Sequence, residues 1–137
     1  MTTVITFGTF DLFHVGHLNI LNRASTLGDR LVVGISSDKL NAVKKGRIPL
    51  NSQVDRMKII QNLKCVDSVF LEESLALKAE YIARYGADIL VMGDDWQGRF
   101  EHLASLCRVV YFPRTPSVST TALIETIAGQ NALPGSV

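Results

Sequence analysis

Thr3-Val4-Ile5-Thr6-Phe7-Gly8-Thr9-Phe10-Asp11-Leu12-Phe13-His14-Val15-Gly16-His17 runs from an apolar segment through a turn into two histidines three residues apart. The β-branched residues over 3–7 predict a short strand, 8–13 a turn, and the spacing of Leu18, Leu21, Ala24 and Leu27 a helix over 15–27 with one apolar face. Strand, turn and helix in that order open an α/β unit and put both imidazoles at a helix start. Free backbone N–H groups and the positive end of the helix dipole favour an anion there, and residues three apart share a face. Gly16, without a β-carbon, lets a phosphate or a base come close to the backbone. Two other readings of the pair stay open at this point. It could bind zinc, although His102 lies far along the chain and Cys65 and Cys107 are isolated, or it could be two satisfied polar groups at a helix end.

The chain has 137 residues, 47% of them hydrophobic, with four Pro against ten Gly, which fits one compact globular domain. A formal charge of +1 with scattered Lys and Arg gives no basic stripe, so nucleic acid is not expected as a partner and small molecules are. Two unpaired-looking cysteines, no signal-peptide pattern and no apolar run near membrane-spanning length predict a soluble, cytoplasmic protein with no membrane partner.

Short β-branched runs recur at 4–7, 31–35, 68–71, 89–92 and 109–112 with helical patterns between them. Their lack of strict polar alternation suits a parallel sheet covered on both faces, and right-handed crossovers make it doubly wound. Ligands of such sheets gather beyond the carboxyl ends of the strands. Gly8-Thr9-Phe10, Ser36-Ser37-Asp38, Gly93-Asp94-Asp95-Trp96 and Arg114-Thr115 fall at those ends. From Asp38 to Asn51 the chain carries Lys39, Lys44, Lys45, Arg47, Gly46 and Pro49 with little apolar period, and reads as a mobile basic loop of the kind that closes on polyphosphates. Ser52-Gln53-Val54-Asp55 resembles a capping box and predicts a helix to about residue 63. The expected domain covers 1–129, with a frayed tail at 130–137.

Arg114-Thr115-Pro116-Ser117-Val118-Ser119-Thr120-Thr121 follows the fifth strand and enters a helical pattern near Thr120, a second anion site or an ordinary helix cap. Arg114 brings a planar fork of donors, Ser119 and Thr120 hydroxyls and exposed N–H groups. Gly93-Asp94-Asp95-Trp96-Gln97-Gly98 offers carboxylates and an aromatic plane suited to a sugar and a base, or a core Trp with turn aspartates.

Residues 8–17, Met92-Gly93-Asp94-Asp95-Trp96 and 114–120 together resemble the cytidylyltransferase family, and within it the small bacterial glycerol-3-phosphate cytidylyltransferases; the likeness spans nearly the whole chain. The resemblance implies a Rossmann-like fold of the HxGH nucleotidylyltransferase type, a homodimer, Mg²⁺, and transfer of CMP from CTP to a phosphorylated alcohol in surface-polymer building. On that resemblance His14 and His17 contact the CTP phosphates and stabilise the five-coordinate phosphorus, and Thr9, Phe10 and Gly16 seat the nucleotide. Lys44 pairs with the outer phosphates, and Arg114, Thr115, Ser119 and Thr120 clamp them from the other side. Asp94 and Trp96 match nucleoside positions; Asp11, Asp38, Arg56 and Asp67 match polar acceptor-side or structural positions, Lys64 falls in the acceptor pocket, and the Mg²⁺ ligands are left open. Ser117 and Val118 replace the common Gly and Ile. The basic segment is one residue longer before Arg56, which leaves Lys45 and Arg47 as alternatives for a second lysine. Lys64 stands where Arg is usual, and the two are not equivalent at a bidentate phosphate contact. That leaves the acceptor open between glycerol 3-phosphate and a related polyol or amino-alcohol phosphate. Two other functions remain in view: an adenylyltransferase of the same superfamily, resembling FAD synthase, and a nucleotide-binding module without turnover.

Overall fold

The computed structural model describes residues 1–115 and 119–132. β1 (Thr3–Gly8), β2 (Arg30–Ser36), β3 (Ser68–Glu72), β4 (Ile89–Gly93) and β5 (Arg108–Phe112) form one sheet in the order β3-β2-β1-β4-β5, every neighbouring pair parallel. The five runs found in the sequence are these strands, each lengthened by a residue or two. The helices are α1 (Val15–Ser25), α2 (Asp38–Lys45), α3 (Gln53–Gln61), α4 (Lys78–Tyr85) and α5 (Thr120–Ala132). α5 continues past residue 129, where a tail was expected to begin, and 133–137 lie outside the described residues.

Successive strand residues point to opposite faces, so each strand feeds two cores. Val4, Val33, Ile35, Ile89 and Val91 pack with Leu21 and Ala24 of α1 and Ile60 of α3. Ile5, Val32, Leu90 and Met92 pack with Tyr81 and Ile82 of α4 and with Phe100 and Leu103. This two-sided burial explains why the strand sequences are apolar throughout rather than alternating. The strand order reverses between β1 and β4, and the crevice at their carboxyl ends is where doubly wound sheets bind ligands.

The segment expected to be a loop from 38 onward is different. Residues 38–45 form α2, with the Ser37 hydroxyl accepting the Leu40 N–H at 3.0 Å and Gly46 ending the helix in the left-handed region at φ 72°. Asp38 in the first turn and Lys44 and Lys45 in the last complement the helix dipole. An N-cap serine, a correctly placed charge at each end and a C-terminal glycine outweigh a weak apolar period in so short a helix. Only 46–52 connect α2 to α3, whose N-cap Ser52 accepts the Asp55 N–H as the sequence suggested.

Candidate active site

The turn after β1 is built from two strained residues. Phe10 and Leu12 adopt φ values of 55° and 47°, a region L-residues rarely occupy. The Phe10 ring folds back so closely on Gly8 that a Cβ there would lie 2.8 Å from it, so only glycine fits. The turn delivers His14 to the N-cap of α1 in an extended conformation.

The two histidines form a capping box with each other. His14 Nδ1 accepts the Gly16 N–H at 3.0 Å, and His17 Nδ1 accepts the His14 N–H at 3.2 Å. Since both Nδ1 atoms accept, each neutral ring carries its proton on Nε2. Phe10 meets His17 edge-on at 5.4 Å and Phe13 stacks on it at 5.6 Å, fixing its orientation. Burial pushes the His17 pKa down to about 3, helped by the charges of Arg114 and Lys45 and by His14, and burial and Arg114 lower that of His14 as well. At neutral pH the pair therefore presents uncharged N–H donors to the cleft.

His14, His17, Lys44, Arg114, Thr9, Phe10, Gly16, Trp96, Thr115, Ser119, Thr120 and Asp11 all line one cleft at the carboxyl edge of the sheet. The N-terminal motif and the segment after β5 thus converge as their sequences suggested. Thr120 Oγ1 donates to the Asp11 carbonyl at 2.7 Å, and Ser119 Oγ accepts the Ala122 N–H at 3.0 Å. Thr115 Oγ1 accepts from the Asn19 side chain at 2.9 Å. Pro116, Ser117 and Val118 lie outside the described residues. Lys45 and Arg47, between which the sequence left a choice, both line the cleft.

Four expected site residues are not among those lining it. Asp94 heads the exposed turn after β4, and its neighbour Asp95 faces the cleft instead, paired with Arg114 at 2.7 Å. Arg56 is fully buried and paired with Asp38 at 2.7 Å. Lys64 is exposed beyond the end of α3.

The structure adds two residues that sequence reasoning missed. Glu72 ends β3 and Lys78 begins α4; both are buried, paired with each other, and line the cleft. The Lys78 ammonium also lies 4.4 Å from the centre of the Phe7 ring. Lys44 donates to Ser36 Oγ at 2.7 Å, and Ser36 Oγ donates in turn to Glu72 Oε1 at 3.3 Å. Two ammonium groups are thereby held over one buried carboxylate. Burial lowers both lysine pKa values, that of Lys44 to about 8. The signal was present, because Glu72 sits at the carboxyl end of the third strand as the other site residues sit at theirs.

Among the described residues five cationic side chains line the cleft, Lys44, Lys45, Arg47, Lys78 and Arg114, against three carboxylates, Asp11, Glu72 and Asp95. The surplus of positive charge and the N–H donors at α1 suit an anion with several phosphate groups.

Comparison with known proteins agrees. Residues 5–128 match the family model described as "Cytidylyltransferase-like". The chain is 46% identical to the glycerol-3-phosphate cytidylyltransferase of Bacillus subtilis, over 94% of this chain and 99% of that one. It is 33% identical to the FAD synthase of Thermococcus sibiricus over 90% of each. A solved structure, the lipopolysaccharide core biosynthesis protein from Thermoplasma volcanium, superposes with a TM-score of 0.75 at 27% identity, over 84% of this chain and 98% of that one. A parallel sheet, a histidine pair at the first helix and a family model spanning nearly all of the sequence lead to one statement: the chain belongs to the cytidylyltransferase-like family.

Proposed function

We propose that the protein transfers CMP from CTP to a small phosphorylated alcohol, glycerol 3-phosphate or a related polyol or amino-alcohol phosphate, and releases pyrophosphate. The observation that carries this reading is the pair of Nε2–H imidazoles fixed at the start of α1 in the same cleft as Arg114, with a second cationic centre, Lys44 and Lys78, built on Glu72. The CTP α-phosphate sits between the histidines and Arg114, while Thr9, Phe10 and Gly16 shape its seat and Trp96 flanks the nucleoside. Lys45, Arg47, Thr115, Ser119 and Thr120 take the outer phosphates.

The acceptor phosphate docks on Lys44 and Lys78. One of its oxygens attacks the α-phosphorus in line; the new P–O bond forms as the bond to the β-phosphate oxygen breaks, and pyrophosphate leaves. A phosphate anion needs no base to activate it. Catalysis is positioning plus hydrogen bonding to charge that builds on the nonbridging and leaving oxygens. His14 and His17 donate to the nonbridging oxygens through Nε2–H without a proton having to move.

Among the described residues no group of three or more His, Cys, Asp or Glu side chains is placed to hold a metal. The donor set instead suits an Mg²⁺ carried on the triphosphate oxygens, with waters and at most one or two carboxylates completing its shell. Among the described residues Asp95 is the cleft carboxylate whose side chain is engaged by Arg114 alone, whereas Asp11 and Glu72 each take two or more donors. When bound, Mg²⁺ supplies neutralisation of phosphate charge. The family resemblance further supports a homodimer acting in the cytoplasm in surface-polymer building. Two free cysteines, and no helix among the described residues long and apolar enough to cross a membrane, are compatible with that setting.

The test offers the purified protein CTP or ATP with Mg²⁺ and a panel of phosphorylated polyols and amino alcohols, reading pyrophosphate. CTP-dependent release with one acceptor is expected. Preferential turnover of ATP with a flavin mononucleotide would make it an adenylyltransferase, and nucleotide binding without turnover of any pair would make it a sensor.

A further inference from the structure

Arg56 is the largest fully buried side chain among the described residues. Its guanidinium donates to four acceptors drawn from four places in the chain. Nε reaches the Asn51 carbonyl at 3.0 Å, Nη1 the Thr9 carbonyl at 2.8 Å and the Ser36 carbonyl at 2.7 Å, and Nη2 Asp38 Oδ1 at 2.7 Å. Thr9 follows the last paired residue of β1, and Ser36 is the last residue of the neighbouring β2, beyond the end of the β1–β2 ladder though still in register with Glu72 of β3. Asn51 precedes the N-cap of α3, and Asp38 is the first residue of α2. The guanidinium is fully enclosed by the chain, so a substrate phosphate could reach it only if the surrounding segments moved apart.

The groups it ties together are the ones on which the site depends. Thr9 opens the strained turn in which Phe10 and Leu12 hold left-handed φ values, and such strain persists only where the surroundings over-determine it. Asp11 clamps the same turn from within, accepting the N–H groups of Leu50 at 2.7 Å and Asn51 at 2.8 Å. The turn leads directly into His14, and α2 carries Lys44 at its far end.

We propose that Arg56 is a positioning residue: its buried guanidinium locks the signature turn to the start of α2, so that the histidine pair and Lys44 face the same phosphates without Arg56 touching either substrate. A lysine cannot replace it, because three tetrahedral donors on one nitrogen do not span four acceptors arranged around a planar fork.

This inference rests on the function proposed above, and the experiment separates the two. Arg56→Lys and the milder Asp38→Asn are compared with the unaltered protein for kcat, KM for CTP, KM for the acceptor and amide hydrogen exchange over 8–14 and 36–45. The expected result for Arg56→Lys is a loss of roughly 10- to 100-fold in kcat with both KM values raised, since misplacement of about 1 Å is enough for such a loss. Faster exchange in both segments accompanies it, and Asp38→Asn shows the same pattern at smaller size. A rise in acceptor KM alone would make Arg56 an acceptor contact and overturn the proposal. So would a lower melting temperature with kcat and both KM values unchanged. Should Arg56→Lys not fold, Asp38→Asn decides by the same criteria. If the unaltered protein releases no pyrophosphate from CTP, the proposed function falls while the exchange data still judge the lock, and unchanged exchange in both segments overturns it.

Discussion

The rings of His14 and His17 lie 3.8 Å apart and 21° from parallel, each held by a backbone N–H at Nδ1. The spacing of the motif is thus a helix-capping device as much as a ligand set. Its geometry fixes which nitrogen each ring offers to a ligand.

Replacing His17 with Ala removes a donor whose partner oxygen gains charge only as the reaction proceeds. Removal of one such donor typically costs about 10²–10³ in rate. We expect kcat to fall by that order while the CTP dissociation constant, measured by calorimetry, changes less than tenfold. Equal losses in both would mean that His17 binds the nucleotide without assisting the reaction.

The low pKa of His17 also shapes acid stability. The folded ring titrates near 3 and the unfolded ring near 6.5, so below pH 6.5 the unfolded chain binds more protons. The stability contribution of the neutral ring is complete above pH 6.5 and is lost as pH falls from 6.5 towards 3, with a slope of at most about 1.4 kcal/mol per pH unit. In His17→Gln, denaturant midpoints followed from pH 7 to pH 4 should decline less steeply than in the unaltered protein.

Lys44 titrates near 8 and is charged below that value. With the acceptor phosphate docked on it, kcat/KM for the acceptor should fall as pH rises through about 8, since that ratio reports groups of the free enzyme. Lys44→Arg should move this alkaline limb beyond the measurable range. An unmoved limb would assign the titration to another group.

Lys78→Met takes the direct ion-pair partner from the buried Glu72 carboxylate and leaves it the Ser36 hydroxyl, with the Lys44 ammonium behind that hydroxyl. Breaking a buried pair by removing one partner costs about 3–5 kcal/mol, much of it for the uncompensated charge. The double variant Lys78→Met with Glu72→Gln should regain part of that loss in urea unfolding, yet acceptor turnover should stay low in both.

The fold was legible because five apolar runs and the helical periods between them satisfy one topology, and because the residues after four of the strands already had phosphate chemistry. α2 was not legible as a helix from hydrophobic period, since Leu40 and Asn41 are the only residues of it that are buried. Its caps and end charges were the usable signal. Arg56 shows a different limit. Its charge suggested an anion, but whether a guanidinium meets a ligand or four atoms of its own chain depends on contacts between residues 5 to 47 positions apart, which no local pattern records. Lys78 was hidden for the opposite reason, because a lysine six residues from a glutamate reads as ordinary surface charge until burial brings the pair into the cleft, whereas the place of Glu72 at the end of β3 was a usable signal.

The sheet order has a practical corollary. β1 and its histidines form the middle of the molecule, with Ser36, Lys44, Glu72 and Lys78 on one flank and Asp95, Trp96, Arg114 and Thr115 on the other. On the proposed reading the acceptor phosphate is held on the first flank and the nucleoside on the second, with Lys45 and Arg47 of the first also reaching the outer phosphates of CTP, so the choice of alcohol and the choice of base are separately inheritable. Exchanging the connection from β3 to α4 re-targets the alcohol while leaving the choice of nucleotide intact, and grafts after β4 and β5 do the converse.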